Sequence, residues 1–186
     1  MEIRTIQPAD LNDLREIDAT VESSQYLHLE RSGEGFALSW KLEVRPLREK
    51  LIASNQMSDD VSFTLKQIVT GADEGTVLLA EHEDRPIALL LAQPDHLTKV
   101  LKLLDLRIDY DFRRQGIGSA MLYQAIALAR ETEMRAVMAE TLTNNLPANQ
   151  FFLKCAFEIA GLDSKRRSNH DLVKESVTLS WYAALD

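Results

Sequence analysis

The chain has 186 residues, 45% hydrophobic and 27% charged, which at about 150 residues per domain predicts one domain over residues 1–186 with room for a sizeable core. A single cysteine, Cys155, excludes a disulfide framework and a CxxC zinc site. Acids outnumber bases 29 to 21, a formal charge of −8, which argues against nonspecific nucleic-acid binding and leaves room for a cationic partner.

Ile3 to Ile6 reads as a short strand, and Pro8 and Asp10 open a helix through Leu11, Leu14 and Ile17. Residues 18–34 are polar and acidic and end in Ser32-Gly33-Glu34-Gly35. Phe36, Leu38, Trp40, Leu42 and Val44 then alternate with Ala37, Ser39, Lys41, Glu43 and Arg45, which predicts a strand that Pro46 ends or closely follows, with Trp40 in the core. Ser62 to Val69 suits a helix closed by Gly71. Thr76 to Ala80 and Pro86 to Ala92 are apolar runs joined by a charged turn at Glu81, Glu83 and Asp84, an antiparallel hairpin. Val100 to Asp109 is the next strand. A glycine-rich turn follows, then a helix with the apolar stripe Met121, Leu122, Ala125, Ile126 and Ala129. Arg135 to Thr141 is a strand, Asn145-Leu146-Pro147 starts a helix, and Phe157 to Asp163 and Val173 to Trp181 are the last strands, with Trp181 in the core. Strands and helices mix without strict alternation, so we expect an α/β or α+β fold on a mixed sheet.

No apolar run is long enough for a transmembrane helix, and the opening MEIRTIQPAD holds no apolar signal core. A cytoplasmic chain without membrane or nucleic-acid partners is expected. His28, His82, His96 and His170 lack metal-ligand spacing, so no metal is expected. Cys155 reads as a small core residue.

The chemical signal is Arg113-Arg114-Gln115-Gly116-Ile117-Gly118-Ser119-Ala120, between a strand and an amphipathic helix. Unpaired N–H groups and the positive dipole end at a helix start, glycines that let the backbone approach an anion, and two arginines together make a phosphate cradle. The same residues also suit a turn that merely needs glycine. No Lys follows the second glycine, so this is not a P-loop, and Met121 stands where a dinucleotide fingerprint needs Gly or Ala.

The run Arg113-x-x-Gly116-x-Gly118 after Leu104-Asp105-Leu106-Arg107-Ile108-Asp109 resembles the acetyl-CoA signature of the GNAT superfamily of N-acetyltransferases. Asn145-x-x-Ala148-x-x-Phe151-Phe152-x-Lys154-Cys155-Ala156-Phe157 is similar to that superfamily's second motif, which usually carries a tyrosine where this chain has Phe152 and a Gly-Phe pair where it has Ala156-Phe157. The resemblance is strong over residues 76–163, the expected cofactor core. Glu140-Thr141 through Gly161, with Ser180-Trp181-Tyr182, resembles the streptothricin-acetyltransferase branch.

The resemblance implies a twisted, largely antiparallel sheet with a splayed central parallel pair, flanked by helices. It implies acetyl-CoA as cosubstrate: amides of Arg114, Gln115, Gly116, Ile117, Gly118 and Ser119, with Arg113, on its pyrophosphate; main-chain groups of Leu106 and Ile108 along the pantetheine arm; and Asn145 toward that arm or simply as a helix cap. An alkylamine of pKa about 10.4 must lose a proton before attack, and a carboxylate suits that task. Asp105 is the first candidate, as base or as salt-bridge partner of Arg107; Glu140 is the second and Asp109 another. Tyr110, Tyr123 and Tyr182 are alternatives to Phe152 as acid, none preferred. The implied acceptor is a small-molecule primary amine, and the acidic residues Glu16, Asp18, Glu22, Glu30 and Glu34 suit a cation. A protein lysine, a polyamine, a larger acyl-CoA and a noncatalytic acyl-CoA sensor stay open, as does a homodimer.

Overall fold

The most apolar runs of the sequence become its innermost strands. A computed structural model describes residues 1–185, with strands β1 (Glu2–Thr5), β2 (Val21–Ser32), β3 (Ser39–Ala53), β4 (Thr76–His82), β5 (Arg85–Asp95), β6 (Val100–Ile108), β7 (Ala136–Leu142), β8 (Glu158–Asp163) and β9 (Thr178–Ala184). The α-helices are α1 (Asp59–Val69), α2 (Ile117–Glu131) and α3 (Leu146–Lys154), and a 3-10 helix covers Pro8–Glu16. The chain divides into two compact units, one holding residues 1–20, 54–139 and the chain end from Ala183, the other residues 21–53 and 140–182.

In the first unit the strands run β1-β4-β5-β6-β7, antiparallel except for β6 with β7. Glu83 and Asp84, at φ 51 and 60, turn β4 into β5, as a two-residue hairpin with the strand twist requires. Pro86 to Ala92 are all buried, the continuous apolar run of a strand covered on both faces. Leu65 of α1 and Ile17, just past the 3-10 helix, pack with Val77, Leu79, Leu89 and Leu91. The predicted α2 stripe is buried in full, and α2 packs on β4, β5 and β6. α1 begins at Ser58, whose hydroxyl accepts from the Val61 N–H at 3.3 Å, and opens with Asp59 and Asp60.

One irregularity in β6 governs the site. Ala92 faces Leu103 but Leu91 faces Asp105, so Leu104 is an extra residue, a β-bulge. The parallel ladder with β7 runs only from Val100–Ala136 to Leu103–Ala139 and stops where the bulge begins.

The second unit holds the β2–β3 ribbon, the antiparallel pair β8–β9 and α3. The polar segment 18–34 contains a twelve-residue strand, β2, which its polar composition conceals. A bulge between Ser23 and Gln25 breaks its alternation, and its charges face partners across the ribbon: His28 lies opposite Glu43 and Glu30 opposite Lys41. Pro46 does not end β3, which continues to Ala53. A two-stranded ribbon leaves β3 an edge with no ladder to donate to, where proline is tolerated. At the other end β3 starts at Ser39, after the turn through Gly33 and Gly35, both at positive φ. Phe36 is therefore exposed and Trp40 only half-buried rather than core. The last strand begins at Thr178, not Val173, which is exposed in a loop. Trp181 and Cys155 are buried as expected.

Candidate functional site

The start of α2 is built around Gly116, whose φ of +83° is costly for any residue with a Cβ. A Cβ placed there meets no protein atom within 4 Å, so this backbone is open to approach from outside. The Ala120 N–H donates to the Gly116 carbonyl at 2.9 Å and closes the first turn. The amides of Ile117 and Gly118 belong to the first turn, which has no i−4 carbonyl to accept them. Together with the dipole, this is a start that fits a phosphate anion.

Arg113 is tied into the loop that precedes the glycines. Its Nε donates to the Ile108 carbonyl at 3.1 Å, Nη1 donates to the Thr20 carbonyl, and the guanidinium lies 5.1 Å from the centre of the Tyr110 ring. It braces the loop that carries the glycines. Arg114 and Gln115 are exposed at the loop crest, and Gln115 Nε2 donates to the Asp111 carbonyl at 3.3 Å. Asp109, only 1% exposed, accepts from the Asp18 and Asp111 N–H groups and from Arg85 Nη2. Those three donors make it a fastener of the same loop.

The β6 edge follows from ladder arithmetic. The Asp109 N–H donates to the Ile87 carbonyl at 2.7 Å. Hydrogen-bonded pairs alternate in an antiparallel ladder, so Leu89–Arg107 and Leu91–Asp105 are the next bonded pairs. Leu106 and Ile108 therefore turn their main-chain groups to the other edge, past the end of the parallel ladder. Both residues expected along the pantetheine arm lie there.

Arg107 grips Asp105 through Nε and Nη2, at 2.6 and 2.9 Å, and both side chains are largely buried. The salt-bridge geometry is thus present, and lone pairs of the Asp105 carboxylate remain for a further donor. Glu140 is more exposed and lies 3.4 Å from Arg166. Asn145 caps α3, its Oδ1 accepting from the Ala148 N–H at 3.2 Å. Phe152 is buried, stacked on Trp181 with an interplanar angle of 24° and packed against Phe157.

Two polar groupings in the second unit were not singled out from the sequence. Asn149 is buried, accepts from Thr141 Oγ1 and Trp181 Nε1, and donates to the carbonyls of Leu142 and Asn145. Its signal was its place one turn after the Asn145 cap. Tyr26, also buried, has its hydroxyl 2.8 Å from His28 Nδ1. Burial first, and then Glu175, push the Tyr26 phenol above its ordinary value. The spacing Tyr26-x-His28 puts both side chains on one strand face, which was readable only once β2 was known. Nothing in the sequence pointed to Glu175. Among the described residues no group of His, Cys, Asp or Glu is arranged to hold a metal, and no helix is long and apolar enough to cross a membrane.

A mixed sheet whose parallel pair parts at a bulge, followed by a glycine-opened helix, is the architecture of an acyltransferase class. The model of the acetyltransferase (GNAT) family matches residues 41–157, more than half of the chain, and the chain belongs to that family. Its curated relatives include streptothricin acetyltransferase A of Bacillus subtilis (strain 168), 33% identical over 78 residues, or 42% of this chain and 44% of that protein. The match thus spans less than half of that relative. Streptothricin acetyltransferase of Escherichia coli is 24% identical over 151 residues, 81% of this chain and 78% of that one. A solved structure assigned as a streptothricin acetyltransferase from Bacillus anthracis str. Ames, in complex with acetyl coenzyme A, has a TM-score of 0.80 at 21% identity, covering 100% of this chain and 97% of that one. That likeness shows a shared fold. Both the GNAT resemblance and the narrower streptothricin-acetyltransferase resemblance read from the motifs hold.

Proposed function

We propose that this chain transfers an acetyl group from acetyl-CoA to a primary amine of a small cationic molecule, streptothricin-like in its amine. The observation that carries the reading is the open, left-handed Gly116 at the start of α2, together with the outward-turned main chain of Leu106 and Ile108. The names of the curated relatives support the acceptor class. Acetyl-CoA, when bound, supplies the acetyl group as an activated thioester. The amides from Arg114 to Ser119 take the pyrophosphate, and Arg113 holds their loop in shape. Leu106 and Ile108 pair with the pantetheine arm, and the Ile108 N–H donates to the thioester carbonyl, where negative charge develops. Asn145 caps α3 through its Oδ1.

The acceptor ammonium, of pKa about 10.4, is a poor nucleophile until deprotonated. Asp105, oriented by Arg107, takes that proton, and Glu140 is the second carboxylate for the task. Phe152 has no proton to give, and a leaving thiol of pKa about 8.5 needs no strong acid. We place the activity in the cytoplasm. The buried, stacked Phe152 favours one other reading, an acyl-CoA-binding sensor without turnover. Thiol release from acetyl-CoA, measured with streptothricin, a polyamine and a lysine peptide, separates the two: a transferase releases CoA only with its amine, and a sensor binds without releasing it.

A further inference from the structure

None of the 15 residues of β3, from Ser39 to Ala53, is buried. β3 is also one strand of a two-stranded ribbon, so among the described residues its far edge carries main-chain groups that no ladder takes up. A long open edge is a template for pairing with another chain, and a two-stranded ribbon alone is marginal in water. From Gln25 opposite Pro46 to Ser32 opposite Ser39 the pairing is regular, and residues directly opposite share a face. One face carries Leu27 with Val44 and Leu29 with Leu42; the other carries His28 with Glu43 and Glu30 with Lys41. Burial on the apolar face fades outward. Leu29 on β2 is buried, Leu42 beside it is half-buried, and Val44 is 49% exposed. The cover over β2 stops short of the β3 edge.

A second copy of the same strand fits that edge in one register. Along an antiparallel ladder every second residue turns its main chain to the outer edge. Two identical strands paired across a two-fold axis must match such residues with each other, so one residue faces its own copy on the axis. Lys41 or Glu43 on the axis sets like charge against like, which repels. Trp40 or Val44 on the axis shortens the pairing within the regular segment, and Val44 also draws in Pro46, which has no N–H to give. Leu42 on the axis uses the whole run from Ser39 to Arg45. It sets Lys41 against Glu43 on both sides and Trp40 against Val44.

The rows then continue across four strands. On the apolar face Leu29 and Leu42 meet Leu42 and Leu29 of the second copy. On the other face the order is Glu30, Lys41, then Glu43 and His28 of the second copy, acids alternating with bases. Glu43 is already bridged to Arg45 of its own strand, but through Oε2 alone, and both side chains are close to half exposed. Such a pair is worth little in water, and Oε1 remains for the second lysine. We infer that this chain forms a two-fold dimer through its β3 edges, with Leu42 on the axis. The inference is independent of the acetyl-transfer reading.

The test is sedimentation equilibrium of the full chain over a dilution series of about 1 to 100 μM, with thermal unfolding of each variant as the check on its fold. The parent is expected to be a dimer that dissociates on dilution. Glu43→Lys sets like charges against each other on both sides of the axis and should raise the dimer Kd at least about tenfold. Lys41→Glu should do the same, and the two changes combined restore opposite charges and bring Kd back toward that of the parent. Leu42→Cys is a second readout that weakens no charge pair. Its sulfur faces its own copy, so mild oxidation should give a covalent dimer. Val44→Cys faces Trp40 instead and should stay uncrosslinked, as should the parent, whose Cys155 is buried. A parent that is monomeric throughout the series overturns the inference. So does a dimer whose Kd ignores the single charge changes, one that the combined change fails to restore, or one that cross-links through Val44→Cys and not Leu42→Cys.

Discussion

Arg107 holds both carboxylate oxygens of Asp105, two residues earlier on the same strand, at 2.6 and 2.9 Å. Both side chains stand immediately after the bulge at Leu104, where β6 loses its parallel partner. The one carboxylate of β6 is thus fixed in direction before any ligand arrives, which is what a proton acceptor in a transfer reaction requires.

The first expectation concerns that pair. Asp105→Asn keeps the shape and loses the base, and should lower kcat about 10²- to 10⁴-fold while leaving acetyl-CoA affinity largely intact. Steady-state CoA release and calorimetry on the same preparation check it. Near-normal turnover would pass the role to Glu140 or to solvent.

Gly116 gives a second expectation. No protein atom lies within 4 Å of a Cβ built there, so Gly116→Val folds, at a cost of about 1–2 kcal/mol for a β-branched residue at positive φ. The same side chain stands where the pyrophosphate would approach, so acetyl-CoA binding should be lost. Denaturant unfolding measures the first effect and calorimetry the second; a stable variant with parent-like affinity contradicts the cradle.

The architecture of the first unit was legible because its elements are self-consistent: the alternation and burial of β4 to β6, the α2 stripe and the glycine turn all point one way. The ribbon was legible only in part. β2 hides behind a bulge and cross-strand charges, and the β3 tip has apolar alternation without a second layer to bury it, so Trp40 and Phe36 look like core and are not. Arg113 shows a further limit. Its place in the motif suggests phosphate binding; that it also braces the loop through the Ile108 and Thr20 carbonyls could not be read, since Thr20 lies 93 residues away in the chain. Tyr26 was invisible as a buried group because it lies on the strand that the pattern concealed.

Phe152 yields a third expectation. The ring is buried between Phe157 and Trp181, so Phe152→Tyr adds a hydroxyl to an apolar stack. A hydroxyl left without a partner costs about 1–3 kcal/mol, and turnover should change less than about tenfold. Thermal unfolding and CoA release test both parts; activity that arises only in the tyrosine variant would favour the sensor reading.

Asn149 gives a fourth. It satisfies two carbonyls and accepts from Thr141 and Trp181 inside the second unit. Asn149→Ala removes four bonds and should destabilise the chain by about 2–4 kcal/mol, read as a lower denaturant midpoint at unchanged slope.

Asp171 sets a pH dependence. It is 1% exposed, and the Arg167 N–H, then the Ser168 hydroxyl, hold its carboxyl below the ordinary carboxylate range. A depressed folded-state pKa gives stability that is complete above the unfolded value, about 3.9, and is lost as pH falls through the lower folded value. The parent should therefore lose stability below about pH 4 more steeply than Asp171→Asn does; parallel acid limbs in the two proteins would contradict this.

The measurement closest to the central claim is mass analysis of streptothricin after incubation with this chain and acetyl-CoA. Acetyl transfer predicts one acetyl group gained per CoA released, on an amine of the acceptor, and none when Gly116→Val replaces the parent. Acetyl-CoA that binds the parent tightly while streptothricin, polyamine and lysine peptide all stay unmodified would contradict it.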